Sequence, residues 1–210
     1  MGPPPDRKQR TLALLPGSRK NEVELILPTQ LDAAAYLADR FDIRCWLVRA
    51  EEVSESMMEA VVARWQQRRG RRLNLEYRSG GTESILPLAD CAVVKSGTST
   101  LEALLSGVPF AMVYRLAWTS YIALRPFVRT QTFCLANLVA GRPLVPEFVQ
   151  HRATGSRIGA YLERVLKDPA EAERIRGELL EAGARLGSRD AYDEAAGLIA
   201  GRFVNERKSS

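Results

Sequence analysis

The chain has 210 residues and a formal net charge of +5, and its hydrophobic content of 46% and charged content of 26% are typical of a folded globular domain rather than a disordered chain. No apolar run reaches the roughly 18 to 20 residues that a membrane-spanning helix needs, and the first ten residues lack the apolar core of a secretory signal. We therefore expect a cytoplasmic protein, at most peripheral to a membrane, whose basic charge favours an anionic partner.

Three cysteines are too widely spaced to suggest a disulfide framework or a zinc site. Cys45, Cys91 and Cys134 each lie inside an apolar segment, without the paired spacing that either site uses. We predict that they are small core residues of a protein in a reducing compartment.

Short apolar segments alternate with helical patterns along most of the chain. A polar, proline-rich segment, residues 1–10, comes first and is typical of a linker. Strands are predicted at residues 11–15, 43–48, 73–77, 91–94, 110–114 and 132–135. Helical spacing runs from Val23 to Ala38, where Pro28 starts or kinks the helix, and from Met57 to Trp65. The alternation predicts an α/β domain, residues 11–203, with a doubly wound parallel sheet of about six strands.

The strands stop near residue 154, and three helical patterns follow. They run from Ile158 to Leu166, from Ile175 to Leu180 and from Tyr192 to Ile199. We predict that these helices close the domain and that residues 204–210 fray.

A basic run, Arg68 to Arg72, raises the question of nucleic-acid binding. Cations near the end of a helix oppose the negative end of its dipole, and Gly70 suits a left-handed cap. No interleaved aromatic residues or nucleic-acid motif accompany the run. We favour the structural interpretation and expect no nucleic-acid partner.

Two loops after predicted strands have the composition of a ligand site. In the first, Pro16 and Gly17 form a tight turn directly after a strand, Ser18 can cap the next helix, and Arg19 then stands at the mouth of the loop. A helix N-terminus beside a guanidinium attracts anions. Such a turn also commonly serves only to connect two elements.

The second loop places one glycine among hydroxyl side chains: Ser96, Gly97, Thr98, Ser99 and Thr100. Gly97 allows the backbone to approach a ligand, while hydroxyls and helix amides can hold phosphate oxygens. The helix that follows is predicted to end at Gly107. Glu102 has two interpretations: a capping box with Ser99, or a carboxylate that accepts hydrogen bonds from vicinal hydroxyls such as those of a ribose.

Several enzyme classes are disfavoured by missing motifs. The chain has neither the G-x-x-x-x-G-K-[ST] loop of nucleoside triphosphatases nor the G-x-G-x-x-G loop of dinucleotide dehydrogenases. His151 is the only histidine and is expected at the surface, and a serine hydrolase would depend on it without a G-x-S-x-G elbow.

Three long motifs occur in a recognisable order: "LALLPGSRKNEVELILP", "VVKSGTSTLEALLSGVPFAMVYR" and "LANLVAGRPLVPEFVQ". Together they resemble the C-terminal half of bacterial lipid-A-disaccharide synthase, a glycosyltransferase of family 19 with the GT-B fold. The resemblance implies a Rossmann-like domain that binds a UDP-diacylglucosamine donor, and an enzyme that transfers its sugar to a phosphorylated diacylglucosamine acceptor. It implies no metal or cofactor, because amides and arginine can stabilise the leaving diphosphate.

The resemblance also assigns expected roles to individual residues. It directs Gly17, Ser18 and Arg19 toward the nucleotide, Ser96 to Thr100 toward the phosphates, and Glu102 toward the ribose. Six more residues are expected in the substrate cleft: Tyr114, Arg115, Asn137, Gly141, Arg142 and Glu147.

The chain departs from the family pattern in two ways. Ala136 stands where the family usually has proline before the asparagine of the third motif. The N-terminal half, which carries the acceptor-facing surface and the expected catalytic base, is absent, so we expect a donor site without a complete active site. A non-catalytic UDP-sugar-binding module and a sugar-nucleotide epimerase stay open as alternatives.

An apolar, aromatic segment with three arginines, Tyr114 to Phe133, has two interpretations. It can lie on the anionic cytoplasmic face of the inner membrane, where lipid substrates are found, or pack on the sheet with its arginines at the rim. A homodimer is also left open.

Overall fold

The computed structural model describes residues 9–116 and 132–186. Six parallel strands form one sheet in the order β3-β2-β1-β4-β5-β6. The strands are β1 (Arg10–Leu15), β2 (Ile43–Arg49), β3 (Leu75–Ser79), β4 (Cys91–Lys95), β5 (Phe110–Tyr114) and β6 (Glu147–Val149). The order reverses between β1 and β4, where Leu14 pairs with Val93. Both side chains are fully buried, as expected for central strands of a sheet that is covered on both faces.

Helices cover both faces of the sheet. They are α1 (Lys20–Ala38), α2 (Glu55–Arg69), α3 (Thr82–Ile85), α4 (Ser99–Ser106), α5 (Leu135–Ala140), α6 (Gly155–Lys167) and α7 (Pro169–Ala184), with 3-10 turns at Leu86–Leu88 and Gln150–Arg152. The apolar faces of α1, α2 and α6 pack against one side of the sheet, and those of α4, α5 and α7 pack against the other. The predicted doubly wound α/β fold is confirmed, as are the first two closing helices.

All three cysteines are free thiols inside the core, as the sequence predicts. Cys45 of β2 and Cys91 of β4 are buried on the two strands that flank β1, and Cys134 precedes α5. Burial raises the pKa of Cys45 to about 12 and raises the pKa of Cys91 and of Cys134 in the same direction. The thiols are therefore held in their neutral form.

The end of α2 confirms the structural interpretation of the basic run. Gly70 adopts a left-handed conformation with φ of 61° and caps the helix. Arg69 pairs with Asp32 at 2.7 Å, and Arg71 pairs with Asp39 at 2.6 Å. These two arginines thus tie α2 and the residues after it to α1.

Two predicted strands are wrong or displaced, and one helix starts earlier than Pro28. Residues 132–135 are not a strand, because the chain enters α5 at Leu135; a short apolar run does not distinguish a strand from a buried helix. The sixth strand is instead β6, where Glu147 pairs with Met112 of β5. The third strand begins at Leu75, two residues later than predicted, and α1 contains Pro28 rather than starting there.

Several predictions fall outside the described residues. They concern the linker-like start (apart from Gln9 and Arg10), most of the segment from Tyr114 to Phe133, the helical pattern from Tyr192 to Ile199, and the tail at 204–210. Arg10 itself belongs to β1 and pairs with Ile43. Among the helices that the structure does describe, none is both long enough and apolar enough to cross a bilayer.

Candidate functional site

A cleft of about 390 Å³ opens at the carboxyl edge of the sheet, beside the reversal of strand order between β1 and β4. Ligands of open α/β sheets bind at such a position because the loops of neighbouring strands diverge there. We call it the switch-point cleft. Its lining comes from the turns after four strands and from α4: Leu15, Gly17, Ser18, Val48, Arg49, Ala50, Glu51, Glu52, Gly80, Gly81, Thr82, Glu83, Lys95, Gly97, Thr98, Ser99 and Glu102.

The turn after β1 forms one wall of the cleft. Gly17 has φ of +114°, which side chains rarely permit, and a Cβ there would lie 2.6 Å from Oε2 of Glu22. The predicted capping role of Ser18 is wrong: Arg19 is the N-cap residue of α1, and no side chain caps this helix. Glu22 instead reaches back, and its Oε2 accepts a hydrogen bond from the Ser18 amide at 3.3 Å. The carboxylate therefore supports the turn from within α1.

Arg19 lies at the solvent end of this turn. Its side chain is 83% exposed, and Nη1 is 3.9 Å from Oε1 of Glu22. Such a distant contact does not fix a long side chain strongly. Arg19 is not among the residues that line the cleft in the described part of the chain, so its contact with a nucleotide stays a prediction.

The turn after β4 forms the opposite wall. Gly97 has φ of +146°, and it lines the cleft together with Thr98 and Ser99. The other two predicted phosphate ligands face elsewhere: the Ser96 hydroxyl donates to the Phe133 carbonyl at 2.7 Å, and the fully buried Thr100 hydroxyl donates to the Gly97 carbonyl at 2.7 Å. These two hydroxyls stabilise the turn.

Glu102 does not form the capping box. Thr98 is the N-cap residue of α4 and has no side-chain cap hydrogen bond, while Ser99 is already helical, so the two box positions are out of register. Oε2 of Glu102 instead accepts a hydrogen bond from the Thr82 hydroxyl at 2.6 Å, across the cleft from α4 to α3. The carboxylate therefore lines the cleft and already accepts a hydroxyl donor there.

Sequence reasoning missed Lys95 and Glu22. The Lys95 ammonium lies 2.9 Å from Oε1 of Glu22, and the two side chains are only 20% and 18% exposed. Lys95 is the last residue of β4 and lines the cleft. Its position directly before the "SGTST" loop is the signal that could have identified it.

The third motif, residues 135–150, uses its polar side chains internally. Asn137 donates to the Val145 carbonyl at 2.8 Å and accepts from the Val145 amide at 2.7 Å. Glu147 accepts from the amides of Phe133 and Cys134, at 2.8 and 3.3 Å, and from Asn137 at 2.8 Å. These bonds close the loop between α5 and β6 onto the segment that precedes α5.

The other residues expected in the substrate cleft also have structural contacts. Gly141 caps α5 with φ of 67°, and Arg142 pairs with Glu178 of α7 at 2.6 Å. Arg115 donates to the Thr29 hydroxyl of α1 at 2.7 Å.

Tyr114, the last of these residues, stacks on Phe133 with ring centroids 5.6 Å apart, and burial, followed by the charge of Glu22, raises the pKa of its phenol. None of the six residues lines the switch-point cleft as the described part of the chain forms it. Their role as cleft residues stays a prediction. His151 is exposed, as expected. Within residues 9–116 and 132–186, no group of three or more histidine, cysteine or acidic side chains is arranged to hold a metal ion.

The family model described as lipid-A-disaccharide synthetase matches residues 5–197. The chain belongs to this family. The lipid-A-disaccharide synthase of Anaeromyxobacter dehalogenans is 38% identical over 178 residues, which are 84% of this chain and 45% of that protein. The one of Geobacter sulfurreducens is 30% identical over 195 residues, 92% of this chain and 49% of that protein. The chain thus spans about half the length of the curated relatives that it matches.

Solved structures share the fold at low sequence identity. A mutant of the Thermobaculum terrenum O-GlcNAc transferase superposes with a TM-score of 0.57 at 19% identity, over 95% of this chain and 38% of that one. Anabaena Alr3699/HepE in complex with UDP-glucose gives a TM-score of 0.56 at 10% identity, over 84% and 44%. The expected Rossmann-like domain of a GT-B glycosyltransferase is confirmed at the level of fold.

Proposed function

We propose that this chain is the donor-binding half of a lipid-A-disaccharide synthase and that the switch-point cleft holds a UDP-2,3-diacylglucosamine donor. The whole enzyme would transfer the diacylglucosamine to a 2,3-diacylglucosamine 1-phosphate acceptor and release UDP. One observation carries the proposal: two glycine turns at helix N-termini and the carboxylate of Glu102 border the same cleft.

The two turns suit a diphosphate. Gly17 precedes α1 and Gly97 precedes α4, so two helix N-termini, whose first amides have no partner within the helix, lie near the cleft. A side chain at either glycine would prevent close approach of an anion to the backbone. The exposed guanidinium of Arg19 adds a charge that can pair with phosphate oxygens.

Glu102 suits a ribose. A carboxylate accepts hydrogen bonds from two vicinal hydroxyls at once. Oε2 already accepts a hydrogen bond from the Thr82 hydroxyl, and a sugar hydroxyl would make the same kind of contact. With the diphosphate between the glycine turns, a ribose at Glu102 places the uracil toward the loops after β2 and β3.

Family membership supports the choice of donor, and the fold of Anabaena Alr3699/HepE in complex with UDP-glucose supports a UDP-sugar. In glycosyl transfer an acceptor hydroxyl attacks the sugar carbon, a base takes the hydroxyl proton, and UDP leaves with the bonding electrons. The cleft would stabilise the diphosphate as its charge grows. The other half would supply the acceptor site and the base. The enzyme would be cytoplasmic or peripheral on the cytoplasmic face of the inner membrane, where its lipid substrates would be found.

Calorimetric titration with UDP tests the donor site. We expect one UDP per chain, and Arg19→Ala or Glu102→Ala should weaken binding about tenfold or more, because each removes a charged partner of the nucleotide. Arg68→Ala, which changes an exposed arginine on α2, is the matched control and should bind UDP like the wild type. Absence of UDP binding by the wild-type chain would contradict the proposal.

A mixing assay tests the reaction. The chain is combined with a separately produced acceptor half of a relative, a UDP-diacylglucosamine donor and the phosphorylated acceptor, and the disaccharide product is measured. We expect product only when both halves are present. Conversion of the UDP-sugar to its epimer by this chain alone would favour the epimerase instead.

A further inference from the structure

Charge is distributed unevenly along the switch-point cleft. Glu51, Glu52 and Glu83 line the end formed by the loops after β2 and β3. Lys95 lines the other end, beside the turns after β1 and β4. A diphosphate is repelled by the carboxylate end and attracted to the lysine end, because charges in a cleft interact more strongly than in bulk water. The two ends of the cleft therefore differ, and a diphosphate is expected at the end that contains Lys95.

The ammonium of Lys95 is held in place from behind. It lies 2.9 Å from Oε1 of Glu22, while Oε2 of the same carboxylate accepts from the Ser18 amide at 3.3 Å. Within the described residues, the cleft is lined by Lys95 and Ser18 but not by Glu22. One carboxylate thus positions both a cation and a wall of the cleft.

Lys95 retains the capacity to bind an anion. An ammonium has three N–H donors, and the pairing with Glu22 satisfies one side of it. A Cβ at Gly97 would be 3.4 Å from Nζ, so the ammonium lies directly against the glycine turn. Arg49, the other cation in the lining, donates to the Val53 carbonyl and lies at the end of β2. Lys95 is therefore the lining cation nearest to the two glycine turns.

We propose that Lys95 binds the diphosphate of the nucleotide donor directly and that Glu22 is a positioning residue that holds the Lys95 ammonium toward it. The inference rests on the proposed function and deepens it, since it names a charged phosphate ligand within the same site. It predicts that the contribution of Lys95 depends on the phosphates and not on the nucleoside.

Binding constants for UDP, UMP and uridine test this prediction, using the full chain. Lys95→Gln should weaken UDP binding about tenfold to hundredfold, weaken UMP binding less, and leave uridine binding unchanged. It should also reduce the dependence of UDP binding on salt concentration. Lys167→Gln, which breaks a lysine–glutamate pair with Glu163 on the surface of α6, is the matched control and should bind all three ligands like the wild type.

The positioning role of Glu22 is tested with a conservative variant and with a double variant that also lacks Lys95. Glu22→Ala should weaken UDP binding without changing uridine binding, and Glu22→Gln should restore much of the loss, because an amide oxygen still accepts from Lys95. In the Lys95→Gln background, Glu22→Ala should cause a clearly smaller loss of UDP affinity than in the wild-type chain, because only its support of the Ser18 turn is then left to lose. A purely structural role of Glu22 would instead give additive losses that include uridine.

The outcomes separate this inference from the proposed function. Suppose that the wild-type chain binds UDP. If Lys95→Gln then binds UDP equally well, or if its affinity for uridine falls as much as its affinity for UDP, Lys95 does not bind the diphosphate, while the donor site is still supported. If the wild-type chain binds neither UDP nor uridine, the proposed function fails and this inference fails with it. Melting curves of each variant exclude loss of folding as the cause.

Discussion

The switch-point cleft and the third motif lie in the same domain, and both are rich in polar side chains that follow strands or short helices. In the cleft, the Glu102 carboxylate accepts a hydrogen bond from the Thr82 hydroxyl of α3, and Gly17 and Gly97 present no side chain to the cleft. In the third motif, Asn137 and Glu147 are engaged by backbone groups of their own segment.

This difference between the cleft and the third motif separates residues that can bind a ligand from residues that stabilise the fold. Buried backbone amides need partners, and a side chain that supplies them cannot be removed without loss of stability. A side chain that lines an open cleft, such as Glu102, keeps acceptor capacity that a ligand can use, even where it has one partner in the protein. Substitutions in the two regions should therefore separate stability from binding.

The largest effect is expected in the third motif. Glu147→Ala removes the acceptor of two backbone amides and of the Asn137 side chain, so we expect the free energy of unfolding to fall by about 3 kcal/mol. Urea denaturation measures the change. Glu147→Gln retains one acceptor oxygen and should lose less. A stable Glu147→Ala variant with lost UDP binding would place Glu147 in the ligand site and break the comparison.

Glu102 should show the opposite behaviour. The wild-type chain should bind 2′-deoxy-UDP about tenfold to hundredfold less tightly than UDP, a difference of about 1.4 to 2.8 kcal/mol, while Glu102→Ala should bind the two ligands equally. Calorimetry with both nucleotides measures this. Thr82→Val, which removes only the present hydroxyl partner, is the control and should keep the preference for UDP. An unchanged preference in Glu102→Ala would refute the ribose contact.

Gly17 in the cleft and Gly70 at the end of α2 both have positive φ, and substituting each one separates binding from stability in a second way. Gly17→Ala places a methyl 2.6 Å from Glu22 at a φ of +114°, whereas Gly70→Ala meets nothing within 4 Å at a φ of +61°. We expect Gly70→Ala to cost about 1 kcal/mol of stability and Gly17→Ala about 2 kcal/mol, because only the latter adds a collision. Only Gly17→Ala should also weaken UDP binding. Equal losses of stability in the two variants would mean that the Glu22 side chain moves away from the new methyl group at little cost.

Arg142 should have the smallest effect. It pairs with Glu178 on the surface, with 52% of its side chain exposed, so Arg142→Ala should change the free energy of unfolding by less than about 1 kcal/mol. UDP affinity should be unchanged, since the residue does not line the described cleft. A tenfold loss of UDP affinity would instead return Arg142 to the ligand site, as the family resemblance implies.

Much of the fold is predictable because the apolar runs of the central strands are bounded by residues that end helices or strands. Residues 110–114 are predicted to the residue, since an apolar run follows the glycine cap at Gly107 and is interrupted by Arg115. β6 is not predictable in this way. It has three residues, begins with Glu147, and is a strand only because it pairs with Met112 of β5.

The candidate site is predictable in position but not in detail. The glycine turns mark the edge of the sheet at which the cleft opens, because each follows a strand directly. Lys95 and Glu22 are missed because their pairing joins two elements that are distant in the sequence. The hydrogen bonds between Asn137 and Val145 could not be predicted from the sequence either. A sequence motif does not show whether a side chain faces a cleft or bonds to nearby backbone.

A crystal structure of the chain with UDP tests the central claim most directly. The account predicts a diphosphate between the turns at Gly17 and Gly97, within hydrogen-bonding distance of Nζ of Lys95, with the ribose hydroxyls on the carboxylate of Glu102. UDP bound at another surface, with the switch-point cleft empty at saturating nucleotide, would contradict it.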